Sequence, residues 1–275
     1  MAEFPKQAKV VIVGLGGIVG SSIAHHLIEL GWDDIVGLDK SAIPTDIGST
    51  SHASDFCYTT GADKFTAYTT QYSQQFFESR GNYVRCGGLE VARVDDDARM
   101  LELKRKIGQG KAFGSRVSLI SPAEAKAKFP LLAEDQIQGA LWDPDAGLVV
   151  PRSQKVAGDL VDEAVASGKL KAFPNTPALK IVVDAGRVIG VETRRGFIAS
   201  EKVVLSVGIW GPLLADQVGS KLPLMPLEHP LLFFGPYDEL TGSGQEIVYP
   251  LFRDQGNSSY VRDTGDPKTT EGGRV

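Results

Sequence analysis

The sequence predicts an α/β protein, with a parallel sheet at its start and antiparallel strands further on. Three observations carry that expectation. Residues 9–13 read Lys-Val-Val-Ile-Val, a β-branched run without alternation, which suits a strand covered on both faces. A glycine cluster, Gly14-Leu15-Gly16-Gly17-Ile18-Val19-Gly20, follows at once and leads into helical sequence over 21–30. Further on, residues 179–183, the turn Asp184-Ala185-Gly186, and residues 188–193 and 197–199 read as three antiparallel strands, followed by 203–207. These lead into a strand ending at Ser206-Val207-Gly208.

Gly31 ends the first helix, and residues 34–38 form a second short strand that stops at Asp39. Strand, glycine turn, helix and strand within about thirty residues is the size of a mononucleotide-binding βαβ unit. The βα alternation of a complete nicotinamide-binding domain does not continue after it. Instead, 41–60 is a loop rich in Ser, Thr and Gly, and 63–79 is a polar-aromatic helix. Residues 87–94 alternate as a strand, and 95–108 form a charged helix. Ser121 and Glu124 are placed as N-cap and N3 of another helix. Residues 139–142 suit a strand, 152–168 form a helix after Pro151, and strand-rich sequence resumes from Leu231. The chain closes on a polar tail over 268–275, with no internal repeat or low-complexity stretch.

Composition narrows the partners. The 275 residues carry 34 acids against 29 Lys plus Arg, a net charge of −5 with no basic cluster, which argues against nucleic acid. Cys57 and Cys86 are too few for a disulfide framework, and no Cys-x-x-Cys pattern exists to bind a metal. No window reaches the roughly 18 apolar residues of a membrane span. The N-terminus has no leader-like region, so the mature protein is expected to start near Met1, in a reducing compartment. Small molecules are the expected partners.

The glycine cluster carries the first chemistry. Glycines there allow a tight turn, bring backbone N–H groups to a pyrophosphate and let the helix pack close to the strand. Against the spacing GxGxxG, the third glycine counted from Gly14 and Gly16 falls on Val19, so one residue is extra. Either the turn carries an insertion, or Gly17 and Gly20 serve as the last two glycines with Leu15 in the first position. Asp39, nineteen residues after Gly20, is placed to accept hydrogen bonds from adenosine ribose hydroxyls. Gly48-Ser49-Thr50-Ser51-His52 follows that crevice. Its small hydroxyl residues can bond phosphate or ribitol oxygens, and His52 taken alone is either a surface loop histidine or a functional one. His25 and His26 read as ordinary helix residues, and His229 is ambiguous on local grounds.

Seven features occur here in a fixed order: the glycine cluster, the acid ending the second strand and the Gly-Ser-Thr-Ser-His loop; then Gly87-Gly88-Leu89-Glu90-Val91-Ala92 and Ser121-Pro122-Ala123-Glu124; finally Ser206-Val207-Gly208-Ile209-Trp210-Gly211 and Pro226-Leu227-Glu228-His229. In this order they resemble the dimethylglycine oxidase, dimethylglycine dehydrogenase and sarcosine dehydrogenase group of the D-amino-acid-oxidase-like flavoproteins. The resemblance covers nearly the whole chain, with Ser-Thr-Ser-His its most specific part.

It implies an FAD-binding Rossmann-like domain of the glutathione-reductase type, interleaved with an α+β substrate domain on an antiparallel sheet. The expected segments are 1–85 and 149–216 for FAD, and 86–148 and 217–275 for substrate. By resemblance, Gly14, Gly16, Gly17, Ile18, Val19 and Gly20 cradle FAD, and Asp39 and Lys40 contact its adenosine half. Ser49, Thr50 and Ser51 line its channel, and His52 is joined covalently to the flavin 8α carbon. Ala178, Gly208 and Trp210 match further cofactor contacts, Trp210 being equally a core residue. His229 and Tyr260 match substrate-side catalytic residues, with Val261 as the alternative register.

The implied activity is oxidation of the C–N bond of a small secondary or tertiary amine, such as dimethylglycine or sarcosine, by hydride transfer to flavin. The electron acceptor is left open between oxygen and an electron-transfer protein. Members of the group continue well past this length, so a C-terminally incomplete copy is expected, and a truncated, non-catalytic flavin-binding remnant is the alternative. A nicotinamide-dependent dehydrogenase is disfavoured by the missing alternation. The expected location is the cytoplasm, with the mitochondrial matrix second.

Overall fold

The computed structural model describes residues 3–240 and 247–264. In chain order the elements are β1 (Val10–Val13), α1 (Ile18–Glu29), β2 (Ile35–Leu38), β3 (Phe56–Cys57), α2 (Lys64–Ser79), β4 (Tyr83–Arg85), β5 (Gly88–Arg93), α3 (Asp97–Ala112) and β6 (Ser118–Ile120). They continue with α4 (Pro122–Lys128), β7 (Ile137–Asp143), β8 (Gly147–Val149), α5 (Ser153–Ala166), β9 (Leu170–Phe173), β10 (Ala178–Asp184), β11 (Arg187–Thr193) and β12 (Gly196–Ala199). Last come β13 (Val203–Leu205), α6 (Gly211–Ala215), β14 (Leu251–Asp254) and β15 (Ser259–Val261). The fold is α/β with mixed sheets, and it divides into two compact units: Met1–Ala53 with Pro151–His229, and Ser54–Val150 with Pro230–Val275.

The first unit is three layers deep. Its central sheet has the order β13-β1-β2-β9, all pairs parallel. Val10 and Ile12 of β1 face α1 and α5, packing with Leu15, Ala24, Val161 and Ala164. Val11 and Val13 face the other way, onto Ile181, Val191 and Ile198 of the antiparallel meander β10-β11-β12. Both faces are therefore covered, which is why β1 and β2 lack alternation and are buried at every position. Strand order changes side about β1: one neighbour is β2, reached through α1, and the other is β13, from the far end of the unit. Ligands of open parallel sheets sit beyond the carboxyl ends of strands at such a point.

The second unit is built on the sheet β15-β14-β5-β7-β6, antiparallel except for the parallel pair β14 and β5. Helix α4 packs Ala125 and Phe129 on one face with Leu89 and Val91, while α3 packs Met100, Leu103 and Ile107 on the other with Ala92 and Leu141. Ser121 caps α4 as expected, its N–H donating to Glu124 Oε2 at 2.8 Å in a capping box. A small sheet, β3-β8-β4, completes the unit.

Three differences from the sequence reading stand out. The units change over between 53 and 54, between 150 and 151, and between 229 and 230, where the sequence suggested 85, 148 and 216. The first shift arises because β3 and β4 both pair with β8, which draws residues 54–85 into the second unit. Next, strands do not resume at Leu231. Residues 220–237 carry no helix or strand, and Leu227, Leu231 and Leu232 are exposed. The Leu-Leu-Phe-Phe run there suits a strand, but a ladder needs a neighbouring strand, and none of the described ones pairs with it. Finally, the short strands β3, β4, β6, β8 and β9 were not read from the sequence. At two to four residues each, they carry too little period to register.

Candidate functional site

The site grows from the turn between β1 and α1. Gly14 has φ of 90°, and a Cβ there would lie 2.4 Å from the Ser206 carbonyl oxygen. A Cβ on Gly20 would lie 2.1 Å from the Gly14 carbonyl oxygen. A Cβ on Gly16 would lie 2.9 Å from the Thr45 nitrogen, so Gly14, Gly16 and Gly20 are the close-approach glycines, the turn carries an extra residue, and Leu15 does not occupy the first glycine position. Leu15 is instead fully buried, its side chain filling the space above Gly37, where a Cβ would lie 2.3 Å from Leu15 Cδ2. Ser206 clasps the far side of the turn, its hydroxyl lying 3.0 Å from the Val13 carbonyl and 3.2 Å from that of Gly14.

Helix α1 then starts with no side-chain cap and no acid in its first turn. Its N-cap is Gly17, where an added Cβ would meet only Thr50 Oγ1, at 3.5 Å. The Ile18 N–H donates to Thr50 Oγ1 at 3.1 Å, while those of Val19 and Gly20 have no acceptor among the described residues. Free N–H groups at the positive end of a helix dipole suit an anionic ligand such as a phosphate.

Asp39, 7% exposed, sits at the end of β2 beside this turn. Its Oδ2 accepts the Gly16 N–H at 2.8 Å, and its Oδ1 accepts the N–H and hydroxyl of Ser41, both at 3.0 Å. Ser41 Oγ lies 2.9 Å from Thr45 Oγ1, and the Thr45 N–H donates back to the Gly16 carbonyl at 3.0 Å. Gly16, Asp39, Ser41 and Thr45 thus form a closed circuit of hydrogen bonds. Sequence reasoning missed Ser41 and Thr45; their signal was Asp-x-Ser immediately after a buried strand, a spacing that lets a carboxylate bond the backbone two residues on.

The turn from Gly48 to His52 is organised by one carbonyl. Gly48 O accepts the Ser51 N–H at 3.2 Å, the Ser51 hydroxyl at 2.8 Å and His52 Nδ1–H at 3.1 Å. Because the Ser51 hydroxyl donates to Gly48, Nδ1 must donate to both oxygens, and the neutral ring keeps its lone pair on Nε2. His52 is exposed, and so is Ser49, whose carbonyl accepts the His52 N–H at 3.3 Å.

The remaining candidates are placed as follows. Lys40 and Trp210 meet, with Nζ 3.3 Å from the ring centroid. They come from the ends of β2 and β13, the strands on either side of β1, so the contact spans the end of β1. Gly208, with φ of 52°, makes the turn before Trp210. Ala178 starts β10, two residues beyond Thr176, whose N–H donates to the Asp39 carbonyl at 2.7 Å. His229 is exposed at the end of the first unit. Tyr260 belongs to the second unit; it is 44% exposed, lies opposite Arg253 across β14 and β15, and sets its ring edge-on to Phe56 with centroids 5.0 Å apart.

Other groups are structural. His25 lies 3.3 Å from Glu29 and 3.7 Å from Glu163, consistent with its reading as a helix residue. Burial pushes the thiol of Cys57 up to about 11 and that of Cys86 up to about 12, which makes both poor nucleophiles. A cavity of about 640 Å³ by Lys9, Trp32, Asp34 and Lys202 opens at the opposite, N-terminal ends of the parallel strands. That is the wrong end for a sheet ligand. Among the described residues no group of three or more His, Cys, Asp or Glu could hold a metal, and no helix is long and apolar enough to cross a membrane.

Comparison with known proteins agrees with this geometry. The mitochondrial pyruvate dehydrogenase phosphatase regulatory subunit of Mus musculus is 30% identical over 267 residues, covering 94% of this chain and 29% of that one. The mitochondrial sarcosine dehydrogenase of Homo sapiens is 30% identical over 281 residues, covering 98% of this chain and 29% of that one. The chain thus spans about three-tenths of the length of these relatives. Among solved structures, L-proline dehydrogenase from P. horikoshii superposes with a TM-score of 0.79 at 23% identity, over 98% of this chain and 69% of that one. The family model described as FAD dependent oxidoreductase (DAO) matches residues 9–275, and the chain belongs to that family.

Proposed function

We propose that the first unit binds FAD across the β1–α1 turn, and that the flavin takes a hydride from a small secondary or tertiary amine such as dimethylglycine or sarcosine. The observation that carries this reading is the uncapped first turn of α1, whose free Val19 and Gly20 N–H groups are flanked by Asp39 and by the His52 turn. That cradle fits a pyrophosphate, and Asp39 fits the adenosine ribose beside it. Lys40, Ala178, Gly208 and Trp210 supply the outer contacts to the cofactor, and Ser49 and Ser51 line its channel.

His52 is assigned to covalent attachment. Its Nδ1–H is held by Gly48, so Nε2 presents the lone pair. Attachment would join His52 Nε2 to the flavin 8α carbon, with the flavin, when bound, supplying the two-electron oxidising power that such a bond requires.

In turnover the bound flavin supplies a two-electron acceptor. The chain's part is to hold the amine neutral and oriented, since an ammonium has no lone pair to assist loss of hydride. The His229 imidazole suits removal of the ammonium proton, and the Tyr260 phenol suits substrate orientation. Water hydrolyses the resulting iminium, so an N-methyl donor releases formaldehyde. Electrons leave to dioxygen or to an electron-transfer protein.

The test is to denature the purified chain in acid and measure flavin fluorescence in the washed pellet. Retained flavin is expected for the wild type, and loss of it with residual non-covalent binding for His52→Ala. Acid-stable flavin persisting in His52→Ala would remove His52 from the role. His229→Ala is expected to keep attachment and slow flavin reduction by dimethylglycine or sarcosine at least tenfold; unchanged kinetics would discard that assignment.

A second reading, a flavin-binding component without turnover, is favoured by the relative named as a phosphatase regulatory subunit. Anaerobic addition of amine separates the two, because a non-catalytic component keeps its flavin oxidised. The named mouse and human relatives are mitochondrial, so fractionation of expressing cells should test the matrix alongside the cytoplasm.

A further inference from the structure

We infer that Thr50 is the positioning residue for His52: its hydroxyl ties the 48–52 turn to the first N–H of α1 and thereby sets where the imidazole stands. This rests on the reading of His52 as the attachment site.

Among the described residues, the Ile18 N–H is the one of the first three N–H groups of α1 that finds an acceptor. That acceptor is Thr50 Oγ1 at 3.1 Å, from thirty-two residues further along the chain. The N–H groups of Val19 and Gly20 have none among the described residues. The helix start is thus divided, one donor spent on the protein's own loop and two left for the cofactor's phosphates.

Beyond Thr50, the turn is also held at its exit, where Arg152 Nη2 donates to the Ala53 carbonyl at 3.2 Å. Ser51 and His52 bond back to Gly48 and Ser49, contacts made within the turn itself. Those bonds fix the ring relative to the turn, but not the turn relative to the cradle. On its outer side, Gly48 packs against Thr45, where a Cβ would lie 3.1 Å from Thr45 Cγ2. That is a contact without direction. Among the described residues, the Thr50 hydroxyl makes the one directional bond between the turn and α1, two residues from the imidazole.

A hydroxyl bonded this way can still donate its own proton outward. Thr50 can therefore donate to a phosphate while it holds the turn. Its main effect should fall on attachment, where a nucleophile must lie about 3–3.5 Å from the carbon it attacks and small misplacement is costly in rate.

The experiment compares Thr50→Val, which keeps shape and loses the hydroxyl, with Thr50→Ser, which keeps the hydroxyl. Apo chain is mixed with FAD, and acid-stable flavin is followed with time. Thr50→Val is expected to attach at least tenfold more slowly, and Thr50→Ser within threefold of wild type. Rates are compared at saturating FAD, so that a change in affinity does not stand in for a change in rate. Attachment by Thr50→Val at the wild-type rate overturns the proposal.

A second measurement is independent of attachment: amide hydrogen exchange in the apo chain. Thr50→Val should speed exchange at 48–52 at least tenfold and leave the middle of α1 unchanged. Equal exchange in the two chains overturns the tie, and accelerated exchange throughout α1 overturns its local character. If the wild type forms no acid-stable flavin, the attachment reading fails by itself, and the exchange comparison still decides whether Thr50 holds the turn.

Discussion

A carboxylate has about four lone-pair directions to place, and the fold commits three of those on Asp39. Two on Oδ1 take the Ser41 N–H and hydroxyl, and one on Oδ2 takes the Gly16 N–H. One acceptor direction remains, enough for a single ribose hydroxyl rather than the pair the sequence suggested, and the negative charge would repel a ribose phosphate. Ser41→Ala should therefore act through Asp39. Losing one buried hydrogen bond costs about 1 kcal/mol, so ADP affinity is expected to fall about fivefold, checked by calorimetric titration of the apo chain. Unchanged affinity would separate Ser41 from the site. Asp39 itself was legible because a strand-ending acid at this distance from a glycine cluster has few other uses. Its supporting hydroxyls were not, because Ser and Thr are common in any loop.

At the scale of elements, the β1–α1 turn makes the sharpest demand. The glycine pattern was readable, but which glycine did what was not: the extra residue leaves two alignments that only φ and close contacts separate. The structure puts the burden on Gly14, Gly16 and Gly20. Gly20→Ala sets a methyl group 2.1 Å from a backbone oxygen, and is expected to destabilise the first unit by about 3 kcal/mol and to prevent FAD binding. Gly17→Ala meets only a hydroxyl at 3.5 Å and should cost less than about 1 kcal/mol at this N-cap position. Thermal denaturation of the two variants, side by side, checks the contrast. The capping box of α4 was read directly from Ser121 and Glu124, because its signature is local. Short strands such as β8 and β9 were not, because their identity lies in their neighbours rather than in their own three or four residues.

For the molecule as a whole, the order in which the chain leaves and re-enters each unit was legible in outline, and the crossing points were not. Pairing partners far apart in sequence decide them: β3 and β4 meet β8, more than sixty residues on from β4. The second unit also carries an acid-sensitive tie. Asp145 takes both Arg85 and Arg116, and the Arg116 guanidinium is the main reason its carboxyl is held below the ordinary value of 3.8. A depressed folded value means the tie contributes fully above the unfolded value and is lost as pH falls through the lower, folded one. Asp145→Asn should thus lower the urea midpoint at pH 7, and the gap to wild type should begin to narrow as pH falls below about 3.8. A gap that stays constant as pH falls further would show that shape, rather than charge, is at work. In the first unit the legible features were those that repeat a period or a motif, whereas in the second the exposed run through Leu231 and Leu232 has strand-like composition and no pairing strand among the described residues.

The closed circuit through Gly16, Asp39, Ser41 and Thr45 has a thermodynamic consequence for ligand capture. Because these bonds are all made between the chain's own residues, the conformational entropy of ordering the glycine turn is settled during folding and is not charged again on association. ADP should therefore associate in a single fast phase, with a heat-capacity change set by the ligand's own buried surface alone. A Ser41→Ala chain should show a slower second phase and a more negative heat-capacity change, as the loosened turn closes only when the ligand arrives.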